Sequence, residues 1–210
     1  MTGFAQFLNN TFAGFDGAVF ELCYSLHQSA GALLDPFFKF ITVFGNHGLF
    51  FIFVGLVLTF IPRTRKAGMC TLFALLIGAL ITNVCLKELV ARARPYEMLD
   101  IAKRLWESVG NGPESDLSFP SGHATASCAF CVGIFLTCRK KLSWPILVFG
   151  GLICLSRLYI GVHYATDVIA GMLIGTLGAF GALWCANKLY PFVSHLGKRK
   201  KPCDMSENRG

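Results

Sequence analysis

Two stretches of the chain, Gly68 to Leu86 and Val168 to Ala186, each run 19 residues without a single charge. That length is close to the roughly 20 apolar residues an α-helix needs to cross the hydrocarbon core of a bilayer. A soluble domain would have to enclose both runs completely. With 210 residues, of which 54% are hydrophobic and 15% charged, too little polar surface is present to do so. The mean hydropathy of +0.56 agrees. Three further apolar segments, Phe44 to Ile61, Ala124 to Cys138 and Leu142 to Leu155, complete a pattern that predicts an all-α, polytopic membrane helix bundle. Twenty phenylalanines and 22 glycines suit lipid-facing surfaces and close helix contacts.

Five spans are counted from Phe44 onward, and residues 1–43 decide whether there is a sixth. They are apolar but interrupted by Asp16, Glu21, His27, Asp35 and Lys39, a pattern open to an interfacial amphipathic helix or to a span. The expected organisation is an N-terminal helical part (1–43), one membrane domain (44–190) and a basic tail (191–210). Met1-Thr2-Gly3-Phe4 has no basic residue ahead of the apolar ones, so no cleaved signal peptide is expected. Most of the nine cysteines fall inside apolar runs and read as packing residues. Cys128 and Cys131 form a C-x-x-C without a second pair or a nearby His, so no metal site is expected there.

Charge orients the bundle. Arg63, Arg65 and Lys66, then Arg139, Lys140 and Lys141, then Lys188, Lys198, Arg199, Lys200, Lys201 and Arg209 make up twelve of the 19 basic residues. With five spans all three groups lie on one face, which the positive-inside rule assigns to the cytoplasm, C-terminus included. The net charge of +7 is mainly this topological signal and implies no nucleic-acid partner. Residues 87–123 and 157–167 then face outward, and their chemistry is expected outside the cytoplasm.

Three polar stretches meet on that outer face. Lys87 and Arg94 are seven residues apart, two turns on one helix face, with Pro95 predicted to end the helix. Pro120-Ser121-Gly122-His123 opens an apolar helix, whose unpaired N–H groups and dipole form an anion site. Gly122 permits close backbone approach there, and the Ser121 hydroxyl can donate to a phosphate. Arg157 adds a planar guanidinium suited to two phosphate oxygens. His163 and Asp167, four apart, share a helix face, so the carboxylate can fix one ring N–H and leave the other nitrogen as nucleophile or base. His123 is then the second catalytic histidine, placed to protonate a departing oxygen. Taken singly, Lys87 and Arg94 also fit helix ends that snorkel to the interface, and Arg157 with Asp167 a structural ion pair. Together, two histidines, three cations and a helix-start Pro-Ser-Gly on one side of a membrane are costly unless used.

The sets Lys87-x6-Arg94-Pro95, Pro120-Ser121-Gly122-His123 and Ser156-Arg157-x5-His163-x3-Asp167 resemble the three-part signature of the type 2 phosphatidic acid phosphatase superfamily, complete and in order. The pattern of spans resembles its small bacterial membrane members over nearly the whole chain. The resemblance implies a lipid phosphatase that needs no metal and no other cofactor. In it His163 attacks phosphorus, Asp167 orients His163, and His123 protonates the leaving group, after which water hydrolyses the phosphohistidine. Lys87, Arg94, Ser121, Gly122 and Arg157 would bind the substrate phosphate.

The same signature resembles soluble acid phosphatases and vanadate-dependent haloperoxidases, which the spans argue against. For the substrate, the resemblance points to undecaprenyl diphosphate of the cell-wall carrier cycle, with phosphatidylglycerophosphate and phosphatidic acid as alternatives. Residues 96–118, with Met98, Ile101, Leu105 and Trp106, read either as an interfacial segment that shapes lipid access or as an inert connector. A different class of function is a non-catalytic lipid-phosphate scaffold or carrier, in which Gly171 and Gly175 would still serve helix packing. The oligomeric state is not legible.

Overall fold

The computed structural model describes residues 2–110 and 112–196, with side chains described as far as residue 191. The predicted basic tail beyond Leu196 lies outside the described residues. The regular elements are α1 (Gly3–Thr11), α2 (Ala13–Val43), α3 (Leu49–Phe60), α4 (Arg65–Ala79), α5 (Lys87–Val90), α6 (Pro95–Met98), α7 (Asp100–Val109), α8 (Gly122–Thr137), α9 (Lys140–Tyr159) and α10 (Ala165–Leu196). A π-helical segment, Leu80–Leu86, joins α4 to α5. Every regular element among the described residues is helical, as the apolar periodicity predicts.

Among the described residues four stretches are long and apolar enough to cross a membrane: Ala13–Phe60, Arg65–Met98, Lys140–Tyr159 and Ala165–Pro191. Helix α8 is apolar but shorter. It is also the central helix, packed against α4, α9 and α10. The α8–α10 contact is close because α10 presents glycine: a Cβ on Gly171 or Gly175 would run into the backbone at Ser121 and Thr125. This is the packing role predicted for the pair. Small residues such as Ala74, Ala129, Ala179, Ala182 and Ala186 fill the interior. Leu76, Val84, Leu173, Leu177, Phe180 and Trp184 point outward. Large apolar side chains outside and small ones inside suit helices whose solvent is lipid.

A second core caps one end of the bundle. Phe20 of α2, Tyr96 of α6, Leu105 and Val109 of α7, and Tyr159, Ile160, Val162 and Tyr164 pack together there. Trp106 stacks on Tyr96 with ring centroids 4.6 Å apart. Of the two readings of residues 96–118, neither describes α7 well. Its apolar side is buried against the protein, so α7 is part of the core, whereas Met98 is exposed.

Both ends of α2 reach this same end of the bundle. The Thr166 N–H donates to Asp16 at 3.0 Å, and Arg157 donates to Thr42 at 2.8 Å. Between them α2 bends at Ala30, where φ is −141°. The turns that carry Arg63, Arg139 and Lys140 lie at the opposite ends of α3, α4, α8 and α9.

Two expectations need correction. His163 and Asp167 do not share a helix face, because α10 begins at Ala165 and His163 lies in the turn that precedes it. Lys87 and Arg94 do not share a helix, because the helix stops at Val90, four residues before Arg94. Ala91 adopts the left-handed conformation (φ 49°, ψ 47°), and its N–H closes the helix on the Lys87 carbonyl. Arg94 is extended, as a residue before proline must be, and Pro95 starts α6 instead of merely ending its predecessor. The two cations are brought together by the loop that follows α7.

Candidate active site

Four chain segments build the site: the α5–α6 junction, the loop 112–119 with the start of α8, the end of α9, and the turn into α10. Ser121 caps α8, its hydroxyl accepting from the Ala124 N–H at 3.5 Å. That leaves the first N–H groups of α8 at the wall of a cavity of about 370 Å³, which Gly122 and His123 line. Lys87, Arg94, Arg157 and His163 line it too. Ser121 is the predicted phosphate ligand that does not. It is fully buried beneath the helix start, with its oxygen accepting from the helix end.

Arg94 ties the site together. Its Nε donates to the Asp116 carbonyl at 2.9 Å, and one terminal nitrogen donates to the Val162 carbonyl at 2.9 Å. The same nitrogen lies 2.9 Å from His163 Nε2. Its other terminal nitrogen pairs with the Asp116 carboxylate, which also pairs with Lys87. Arg157 holds Thr42 and the Glu114 carboxylate, and its buried Nε has no hydrogen-bond partner among the described residues.

A guanidinium only donates, so His163 Nε2 is the acceptor and the ring proton sits on Nδ1. Nδ1 faces Asp167 Oδ2 at 3.6 Å. Asp167 is held from three sides. Ser118 Oγ donates to Oδ2 at 2.5 Å, the Tyr164 N–H to Oδ2 at 3.1 Å, and Arg92 to Oδ1 at 2.6 Å. Burial, then the charges of Arg94, Arg157 and Lys87, push the His163 pKa well below the ordinary histidine value. The ring is therefore neutral at pH 7, with a lone pair on Nε2. A neutral imidazole beside three cations has the chemistry to serve as a nucleophile or base toward an anion held by them.

His123, the other predicted imidazole, sits across the same cavity with Nε2 3.0 Å from Asn46 Oδ1. The turn that carries Asn46 passes so close that a Cβ on Gly45 would meet the His123 ring. Ile52, Leu75, Ala79 and Ala126 continue the cavity as an apolar wall. Burial alone would raise the Glu114 carboxyl, but Arg157, with Arg94 and Lys87 behind it, holds it below the usual carboxylate range. No group of three or more His, Cys, Asp or Glu side chains converges as a metal site among the described residues.

Sequence reasoning missed the polar partners of these groups: Asp16, Thr42, Asn46, Arg92, Glu114, Asp116 and Ser118. Asp16 carried a usable signal, an acid flanked by apolar residues in a largely apolar helix. Arg92 did too, as the first arginine of Arg92-Ala93-Arg94-Pro95. The loop acids sit among other polar residues and carried none.

Compared with known proteins, residues 67–191 match the family described as the PAP2 superfamily. The chain is 32% identical over 160 residues to a bacitracin transport permease protein BcrC of Bacillus licheniformis, with 75% of this chain and 74% of that one covered. It is 27% identical to an undecaprenyl-diphosphatase BcrC of Bacillus subtilis, covering 83% and 87%. Among solved structures, a transmembrane PAP2-type phosphatidylglycerolphosphate phosphatase from Bacillus subtilis superposes with a TM-score of 0.68 at 26% identity, covering 89% of this chain and 92% of that one.

Proposed function

Because the chain belongs to the PAP2 superfamily and is a membrane lipid phosphatase, we propose that it hydrolyses a lipid diphosphate, undecaprenyl diphosphate foremost, outside the cytoplasm through a phosphohistidine on His163. The observation that carries this reading is the convergence of His163 Nε2, His123 and three cations on one cavity with an apolar wall. In the first step Nε2 of His163 bonds to the terminal phosphorus as the bond from phosphorus to the bridging oxygen breaks. The departing lipid monophosphate takes a proton from His123. In the second step water attacks phosphorus, His123 accepts the water's proton, and the P–N bond breaks to free inorganic phosphate. Lys87, Arg94, Arg157 and the N–H groups at Gly122 and His123 stabilise the charge spread over the transferring oxygens, where most catalysis of phosphoryl transfer arises. The substrate phosphate takes over these cations from Asp116 and Glu114.

The substrate assignment rests on relatives named undecaprenyl-diphosphatase that cover most of this chain. The outward placement rests on the basic turns at the far ends of the helices that end in the site. Phosphatidylglycerophosphate is the second reading, favoured by the named activity of the superposed Bacillus subtilis structure. Phosphate release in detergent with a chelator present is the test, with undecaprenyl diphosphate, phosphatidylglycerophosphate and phosphatidic acid compared side by side. The diphosphate is expected to have the highest kcat/KM, and a higher value for either phospholipid overturns the substrate assignment. A scaffold or carrier would release no phosphate from any of them. His163→Ala is expected to abolish both turnover and the trapping of phosphoenzyme, and undiminished turnover would remove the mechanism.

A further inference from the structure

Arg92 is fully buried and lines no part of the cavity that holds the two histidines. Its guanidinium spans two carboxylates, donating to Asp167 Oδ1 at 2.6 Å and to Asp16 Oδ2 at 3.0 Å. It also donates to Thr166 Oγ1 and to Asn9 Oδ1, each at 2.8 Å, and lies 3.6 Å over the Tyr164 ring. Asp16 is only 2% exposed, and its second oxygen accepts from the Thr166 N–H. Two acids and one base are thus taken out of water behind Asp167. Apolar packing would have joined α2 to α10 at less cost, since buried ion pairs rarely repay their desolvation.

The charge count indicates a use. Arg92 alone would neutralise Asp167, the group that must stay negative as His163 Nδ1–H gains positive character during attack on phosphorus. With Asp16 present, the trio keeps one net negative charge. Arg92 meanwhile fixes the rotation of the carboxylate, so that Oδ2, bonded by Ser118 and Tyr164, is the oxygen presented to His163.

We propose that Asp16 and Arg92 are positioning residues for phosphoryl transfer: Arg92 locks the Asp167 carboxylate toward His163, and Asp16 supplies the charge that leaves the pair anionic. This rests on the reading of His163 as nucleophile. It assigns the N-terminal helices a part in the chemistry beyond packing.

The test is steady-state and single-turnover kinetics of the full-length protein on undecaprenyl diphosphate. Asp16→Asn keeps the shape and removes the charge. It is expected to lower kcat roughly ten- to a hundredfold, the range found when a side chain that holds a working metal ligand is removed. KM should stay within about twofold, because neither residue meets the phosphate. In an Asp167→Asn background the same change should cost almost nothing, since the charge it serves is already gone. Arg92→Gln strands two facing carboxylates and is expected to lose more than Asp16→Asn, whereas the double variant Asp16→Asn with Arg92→Gln should recover part of the kcat. Unchanged kcat in Asp16→Asn, or a loss that persists undiminished beside Asp167→Asn, overturns the proposal. Should Asp16→Asn fail to fold, Arg92→Lys decides. It keeps the charge and loses the bridge, so lower kcat at constant KM is expected and full kcat overturns the inference. Wild type and His163→Ala run alongside separate the two levels. An inactive wild type or an active His163→Ala removes the nucleophile reading, while an active wild type, a dead His163→Ala and a normal Asp16→Asn remove only this inference.

Discussion

His163 sits where three cations and complete burial act in the same direction on one imidazole. Its pKa is pushed down first by desolvation and then by Arg94, Arg157 and Lys87. The folded protein therefore keeps this ring neutral at pH values where the unfolded chain, titrating near 6.5, takes up a proton. The unfolded state binds more protons over that range, so stability is fully present above about pH 6.5 and is lost as pH falls from there toward the folded-state value. The expected result is a drop in the unfolding midpoint in detergent between pH 7 and pH 5 that is smaller in His163→Asn. An equal drop in both proteins would show that His163 is not the group responsible. At this scale much was readable from sequence. The helix start at Gly122 holds, whereas the helical spacing of His163 and Asp167 does not, because α10 begins at Ala165 and the turn before it sets His163 Nδ1 3.6 Å from Asp167 Oδ2. What spacing cannot show is which side chains reach the cavity, and that separates Ser121, buried as a cap, from Gly122 at the cavity wall.

Helices α8 and α10 meet through Gly171 and Gly175, and the start of α8 is part of the site. Chemistry and packing are therefore linked through one contact. A side chain at Gly175 would strike the Thr125 and Ala129 backbone, which no rotamer change can relieve. Gly175→Val is expected to lower the unfolding midpoint and to cost kcat by shifting His123, whereas Gly151→Ala, where a Cβ meets nothing within 4 Å, should do neither. Thermal unfolding and turnover of the two variants provide the comparison. The glycine pair was legible because small residues four apart mark one helix face. The end of the helix before Arg94 was not legible, because Ala91 carries no residue signal for a left-handed turn. Its φ of 49° lies in the left-handed region, where glycine would be the ordinary choice.

Across the whole molecule, a bundle of helices with lipid-facing side chains supports a second core made by α2, α6 and α7, and the polar site lies between the two. The basic turns stand at the other end. If the site faces out, Ser115→Cys should react with a membrane-impermeant maleimide in intact cells, and Lys140→Cys only after permeabilisation. The reverse pattern would place the chemistry in the cytoplasm. By itself the sequence determined the solvent, the number of apolar helices after Phe44 and the family, because hydropathy and short-range spacing are local properties that a helix expresses wherever it sits. Only the tertiary structure decided the partners: that Asp116 joins Lys87 to Arg94, that Glu114 meets Arg157, and that Asp16 meets Thr166, 150 residues further along, and shares Arg92 with Asp167. Those contacts depend on how far the chain folds back on itself, and no periodicity along the sequence records that distance.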